Sequence, residues 1–231
     1  MHFFRPCFIA LAACLVCIPA NAQEAIQPDT TNQQRPAYEA VALDEEPVVD
    51  GDVLGDPVWQ AIPATEGLRQ IRPNYGQPVS ERTAVRVAYS RSTFYLSVVC
   101  YDSEPDKIVV SDSRRDADLN DEDSFLFIID TYNDRQNGFL FGTNPQGMEY
   151  DAQINNEGKG NFNANRQQGG VIGGTNLNWD AAWTVRTQVG DFGWSAEFAI
   201  PFRSLRFASG SAKSWGMNFQ RNIAKNTETA Y

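Results

Sequence analysis

The sequence of 231 residues contains one histidine, His2, at the very start of the chain. The rest therefore has no imidazole to serve as general base, zinc ligand or haem ligand. This excludes Ser-His-Asp and Cys-His nucleophile systems and histidine-held metals. Cysteine is nearly as scarce. Cys7, Cys14 and Cys17 fall within the first 22 residues, which leaves Cys100 alone in an apolar run. A single thiol forms neither an intrachain disulfide nor a cysteine zinc site, and it reads as a small buried hydrophobe. Positive charge is also short, with 19 Lys and Arg against 29 Asp and Glu and a net charge of −10. Such a chain repels a phosphate backbone, so no nucleic-acid partner is expected. No segment supplies the roughly 18 consecutive apolar residues of a membrane-spanning helix. P-loop, G-x-S-x-G and dinucleotide-binding glycine patterns are absent.

The leader is informative. Arg5 precedes an apolar run from Cys7 to Ile18, and Ala20-Asn21-Ala22 forms a small-x-small cleavage site before Gln23. Residues 1–22 thus read as a secretory signal peptide cleaved after Ala22. Leu11-Ala12-Ala13-Cys14 also resembles a lipoprotein box, with Cys14 as the lipidated residue. Either route exports the chain, to the periplasm, the outer membrane or the medium. Residues 23–37 are rich in Gln, Thr, Asn and Pro and read as a disordered linker.

From residue 38 onward, short apolar runs recur at roughly ten-residue spacing, as in an antiparallel sandwich. Period-2 alternation marks 83–90, 93–101, 183–189, 194–200 and 215–221 as strands, each with a core face and a wet face. On this reading Ser195 and Glu197 face water, opposite Trp194, Ala196 and Phe198. Phe125 to Ile129 is apolar on both faces and reads as a central strand. Further strands are expected near 38–43, 138–143 and 148–154. Asn144-Pro145-Gln146-Gly147 is a turn, and 155–177 is a long polar loop. A short helix at 56–61 would be capped by Asp56, with Pro57 in its first turn. The expected fold is all-β, an antiparallel β-sandwich with one or two short helices, over 38–231.

Residues 116–123 hold five carboxylates: Asp116, Asp118, Asp121, Glu122 and Asp123. Their mutual repulsion would be relieved by a hard cation with oxygen ligands, so Asp116, Asp118, Asp121 and Asp123 are candidate calcium ligands. The EF-hand pattern fails, because Asp121 stands where glycine is required and Phe127 where glutamate is. The competing reading is a solvated acidic loop before the central strand. Glycosidase chemistry needs only two carboxylates, and Asp130, Asp151 and Glu197 are candidates. Among the tryptophans, Trp59, Trp183, Trp194 and Trp215 lie on apolar faces and read as core. Trp179 follows the polar loop and is either a stacking platform for a sugar or a lid over the sandwich edge. Tyr75, Tyr132, Tyr150 and Phe162 are further candidate rings of the same kind.

The run Val49-Asp50-Gly51-Asp52-Val53-Leu54-Gly55-Asp56-Pro57-Val58-Trp59 resembles the opening of carbohydrate-binding module family 9. Further pieces follow in the family's order: Arg114-Arg115-Asp116, Asp123-Ser124-Phe125, Tyr150-Asp151-Ala152, Gly193-Trp194-Ser195-Ala196-Glu197 and Trp215-Gly216-Met217-Asn218-Phe219. The chain is most similar to the family-9-like N-terminal domain of bacterial outer-membrane-associated proteins that continue into a C-terminal β-barrel-like domain. The resemblance implies a β-sandwich, calcium, and a saccharide ligand bound without catalysis in carbohydrate catabolism. It also implies a chain that continues past Tyr231, with its own barrel domain or an outer-membrane protein as a further partner. Trp179, Tyr132, Asp151 and Gln153 are the candidate sugar contacts. Three positions depart from the family's pattern. Asn120 stands where a sandwiching tryptophan is expected, Leu126 in place of a sugar-contacting glutamate, and Asn155 in place of a sugar-contacting arginine. These departures favour a docking module that binds no sugar as the alternative, with a glycoside hydrolase fragment as a third reading.

Overall fold

Alternating side chains need a second layer to bury their apolar face, and here two sheets supply it to each other. The computed structural model describes residues 36–159, 171–172, 174–208 and 214–231. The leader 1–22 and most of the 23–37 linker lie outside the described residues, as does the middle of the 155–177 loop. The chain divides into a leading unit, 1–38, and the unit 39–231, which carries all the strands below.

In chain order the strands are β1 (Val41–Ala42), β2 (Gln70–Arg72), β3 (Thr83–Tyr89), β4 (Thr93–Tyr101), β5 (Ser124–Asp130), β6 (Gly138–Thr143) and β7 (Tyr150–Ile154). They continue with β8 (Val171–Ile172), β9 (Thr175–Asn176), β10 (Thr184–Gly190), β11 (Gly193–Pro201), β12 (Gly216–Ile223) and β13 (Glu228–Ala230). One sheet has the order β1-β3-β4-β11-β10, and the other β2-β13-β12-β5-β6-β7-β9-β8. Only the β1–β3 pairing is parallel among the described strands. The protein is an all-β sandwich with almost no helix.

The core forms where the inward faces meet. Leu96, Val98 and Cys100 of β4 and Trp194, Ala196 and Phe198 of β11 pack on Phe125, Phe127 and Ile129 of β5 and Phe141 of β6. Phe127 and Phe198 join the sheets edge to face, with ring centroids 5.0 Å apart. Burial of each such ring stabilises by about 1.5–3 kcal/mol. Cys100 is fully buried, and desolvation pushes its thiol up to about 12, which makes it an inert packing group.

The structure corrects the expectation that β3, β4 and β11 keep a wet face, whereas β10 keeps one. Ala84, Ala88, Tyr95 and Val99 form a second cluster with Val53, Trp59 and Ile62. The segment 47–62 therefore covers the outer face of β3, β4 and β11. Within it Asp56 caps helix α1 (Pro57–Gln60) by accepting from the Val58 N–H, with Pro57 in the first turn. That helix presents Trp59 to the sheet.

Glu197 secures this cover. Its side chain points outward from β11 and is fully buried. Its carboxylate accepts from Asp50 N at 2.8 Å, Gly51 N at 2.6 Å and Trp59 Nε1 at 2.5 Å. Ser195, two residues earlier, donates to the Gly51 carbonyl at 2.7 Å. Gly51 has φ +97°, and a Cβ there would lie 2.5 Å from the Thr187 backbone, so only glycine fits. Burial pushes the Glu197 carboxyl upward, and the Gly51, Trp59 and Asp50 donors draw it back part of the way. Glu197→Gln would turn an amide N–H toward at least one of these donors. We expect a loss of about 1–3 kcal/mol in urea unfolding, with β-sheet circular dichroism retained. An unchanged midpoint would show that the three donors find other acceptors.

Candidate functional site

A cleft opens at the end of β5, β6 and β7. β5 ends in Asp130, whose carboxylate is buried and accepts the N–H groups of Tyr132 at 3.2 Å, Asp134 at 3.2 Å and Arg135 at 2.7 Å. Asp134 repeats the device further along. It accepts from Gln136 N at 2.7 Å, Asn137 N at 2.9 Å and Asn137 Nδ2 at 2.8 Å, and these bonds hold its carboxyl below the usual range. Asn133 and Arg135 adopt left-handed backbone conformations, which the carboxylate-bonded turns stabilise. The loop 131–137 is thus fixed from within by two aspartates. Thr131, buried at its base, donates through Oγ1 to the Arg206 carbonyl and so ties the loop to the segment after β11.

The resulting cleft has a volume of about 340 Å³ and is lined by Thr131, Tyr132, Asp134, Asn137, Gly138, Phe139, Gln153, Asn155 and Arg206. Phe139 is its apolar floor, while Tyr132 is 53 % exposed at its mouth. The side chains of Tyr132, Gln153, Asn155 and Arg206 have no hydrogen-bonding or ionic partner among the described residues. The site therefore offers one ring, two amides and one guanidinium with unspent bonding capacity.

Two of the four candidate sugar contacts, Tyr132 and Gln153, line this cleft. Trp179 does not line it. The indole is half-buried and packs on Phe139 at 4.9 Å and Phe141 at 6.0 Å, so it closes the sandwich edge behind the cleft floor. Asp151 is fully buried on the core side of β7. It accepts from Ala181 N at 2.8 Å and from an Arg115 Nη atom. Burial raises its carboxyl against the pull of those partners. Arg115 also binds Glu149 at 2.6 Å and Asp180 at 2.7 Å, so this ion-pair network anchors the segment that carries Trp179. Asp130, Asp151 and Glu197, the candidate catalytic carboxylates, are all buried and engaged by N–H donors.

The acidic run is tied into the chain. Asp118 accepts from Asn120 N and Nδ2, and Asp116 accepts from Asp151 N at 3.3 Å. Asp123 is buried and accepts from Val109 N at 2.9 Å, while Asp121 is exposed. Glu122, buried, accepts from Ser111 N at 2.7 Å and from Asn144 Nδ2 at 3.0 Å, linking the run to the 144–147 turn. Among the described residues no group of three or more His, Cys, Asp or Glu is placed to hold a metal ion. The four candidate ligands thus do not fit a preformed calcium cage in this arrangement.

The remaining departures from the family's pattern can now be placed. Asn120 is exposed. Leu126 is buried with Leu119 and Met148, and Asn155 lines the cleft. Sequence reasoning missed Asp134, Asn137, Phe139 and Arg206. The run Asp130-Thr-Tyr-Asn-Asp-Arg-Gln-Asn-Gly138, dense in turn-forming Asp and Asn between two apolar strands, was the available signal for the first two. Nothing local points to Arg206, which arrives from a distant connection.

No protein-family model and no curated protein matches this sequence. Solved structures do match in fold. A family 9 carbohydrate-binding module from Caldicellulosiruptor kristjanssonii, in complex with cellotriose, aligns with a TM-score of 0.53 at 14% identity, over 83% of this chain and 81% of that one. A structure of such a module from the same organism in complex with glucose gives 0.51 at 14% identity, over 83% and 84%. A protein from Bacteroides uniformis named for carbohydrate binding gives 0.57 at 13% identity, over 83% and 86%. The fold is therefore a β-sandwich like that of the family 9 modules.

The loop geometry gives a direct test. Asp130→Ala removes the acceptor for three backbone N–H groups. We expect faster hydrogen exchange at Tyr132, Asp134 and Arg135, and a stability loss of about 1–3 kcal/mol. Unchanged protection at those amides would show that Asp130 does not fix the loop.

Proposed function

We propose that this chain is a non-catalytic, exported saccharide-binding module and that the cleft beside loop 131–137 is where it takes its ligand. The observation that carries this reading is the convergence of an exposed ring, Tyr132, with three uncommitted polar side chains, Gln153, Asn155 and Arg206. A saccharide presents an apolar C–H face that packs on a ring and hydroxyls that need donors and acceptors, and these groups supply both. The fold neighbours solved with cellotriose and glucose support a sugar ligand. Binding without cleavage is supported by the carboxylates. Glycosidases place two of them about 5–9.5 Å apart across the scissile bond, whereas Asp134 alone lines this cleft and its oxygens are spent on its own loop. The leader at 1–22 supports export, and a role in carbohydrate catabolism follows from the same reading.

Calorimetric titration with glucose, cello-oligosaccharides and xylo-oligosaccharides tests it. We expect binding by at least one of them and a loss of tenfold or more in Tyr132→Ala. Absence of heat with every saccharide would remove the proposal. It would also favour the second reading, a docking module bound to its own barrel domain or to an outer-membrane partner. Leu126, buried under Leu119 and Met148 where the family's pattern has a sugar-contacting glutamate, supports that alternative.

Calcium is a separate proposal, and it rests on the charge density of 116–123. Binding would have to draw the carboxylates together. The expected result is a melting temperature lowered by several degrees on addition of a chelator. An unchanged melt removes the ion from the reading.

A further inference from the structure

The geometry points to an acidic saccharide, one carrying a uronate carboxylate, as the ligand class of the cleft. This inference rests on the saccharide-binding reading above.

Two formal charges line the cleft, Asp134 and Arg206. They are not equivalent. The Asp134 oxygens are occupied by Gln136 N, Asn137 N and Asn137 Nδ2. Asp130, at the root of the same loop, is likewise consumed by three N–H groups. Neither carboxylate forms an ion pair with Arg206. The Arg206 guanidinium has no ionic partner among the described residues, in a chain whose acids outnumber its Lys and Arg by ten. Arg206 is exposed where it lines the cleft, so its guanidinium is accessible to an anionic ligand there.

The local sequence reinforces this. From 198 to 227 there is no Asp or Glu, while Arg203, Arg206, Lys213, Arg221 and Lys225 fall in the same stretch. Arg221 is buried and spends its guanidinium on the carbonyls of Glu81, Arg82 and Tyr101 and on the Thr83 hydroxyl. Lys225 is paired with Glu81 and Asp102. Among the described residues of this group, Arg206 lines the cleft. Its position is set by the backbone, since its carbonyl accepts the buried Thr131 hydroxyl and the preceding Leu205 is in the core. A planar guanidinium matches a carboxylate in two parallel hydrogen bonds, a geometry that neutral sugar hydroxyls do not offer. Gln153 and Asn155 in the same cleft would serve the hydroxyls, and Tyr132 the ring face.

Matched ligand pairs test the inference. We would titrate trigalacturonate against its methyl ester, and a glucuronic-acid-branched xylotriose against plain xylotriose. The acidic member of at least one pair should bind tenfold or more tightly at low salt, with the gap narrowing as sodium chloride is raised. In Arg206→Gln, checked for an unchanged melting temperature, the acid-to-neutral ratio should collapse toward one. Equal affinity within both pairs, or an acid preference that survives in Arg206→Gln, would overturn the inference. If the neutral members still bind, the saccharide-binding reading stands without it. If nothing binds, both fall.

Discussion

The buried carboxylate of Glu197 is the interaction on which the rest of the molecule depends. A five-stranded sheet with Tyr95, Val99 and Ala88 on its outer face would expose an apolar surface, and the chain covers that surface with the segment 47–62. A covering segment without regular pairing brings unpaired backbone N–H groups into a dry place. Glu197 accepts two of them together with the indole N–H of Trp59, and Ser195 returns a hydrogen bond to the Gly51 carbonyl. The opening Asp-Gly and Trp of the chain's most recognisable motif are therefore two halves of one lock, whose third part lies on β11. With that cover in place β4 and β11 are buried on both sides and become the rigid centre of their sheet.

The cleft uses the same economy on a smaller scale. Asp130 and Asp134 collect the N–H groups of a seven-residue loop that has no sheet partners of its own. Thr131 then joins it to the chain after β11. Because the two aspartates are consumed in holding the loop, the side chains of the cleft without a partner among the described residues are others: Tyr132, Gln153, Asn155 and Arg206. The residues that anchor the loop and the uncommitted residues that line the cleft are different, and the hydrogen bonds separate them.

Much of the fold was legible because its signals are local. The Asp56–Pro57 start of α1, the 144–147 turn and the alternation of β4 and β11 each need only a few adjacent residues. Phe125 to Ile129 was readable as a strand covered on both faces. The burial of Glu197 and Ser195 was not, since alternation cannot reveal that a distant segment lies over the polar face. The site divides in the same way. Tyr132 and Gln153, two of the candidate sugar contacts, line the cleft. Asp151, another candidate sugar contact, is buried and accepts from Arg115 and Ala181 N, away from the cleft lining. Arg206 carried no local mark, because the cleft forms only when the chain after β11 meets the loop after β5.

The inward bonding of loop 131–137 has an evolutionary consequence. Its path is dictated by Asp130, Asp134 and Thr131, none of which needs to recognise anything outside the protein. On the proposed saccharide-binding reading, replacement of the residue at 132, 153, 155 or 206 would therefore alter selectivity without rebuilding the scaffold. Homologues could diverge in taste while keeping one backbone, and the three anchoring residues would mark the lineage better than the contact surface does.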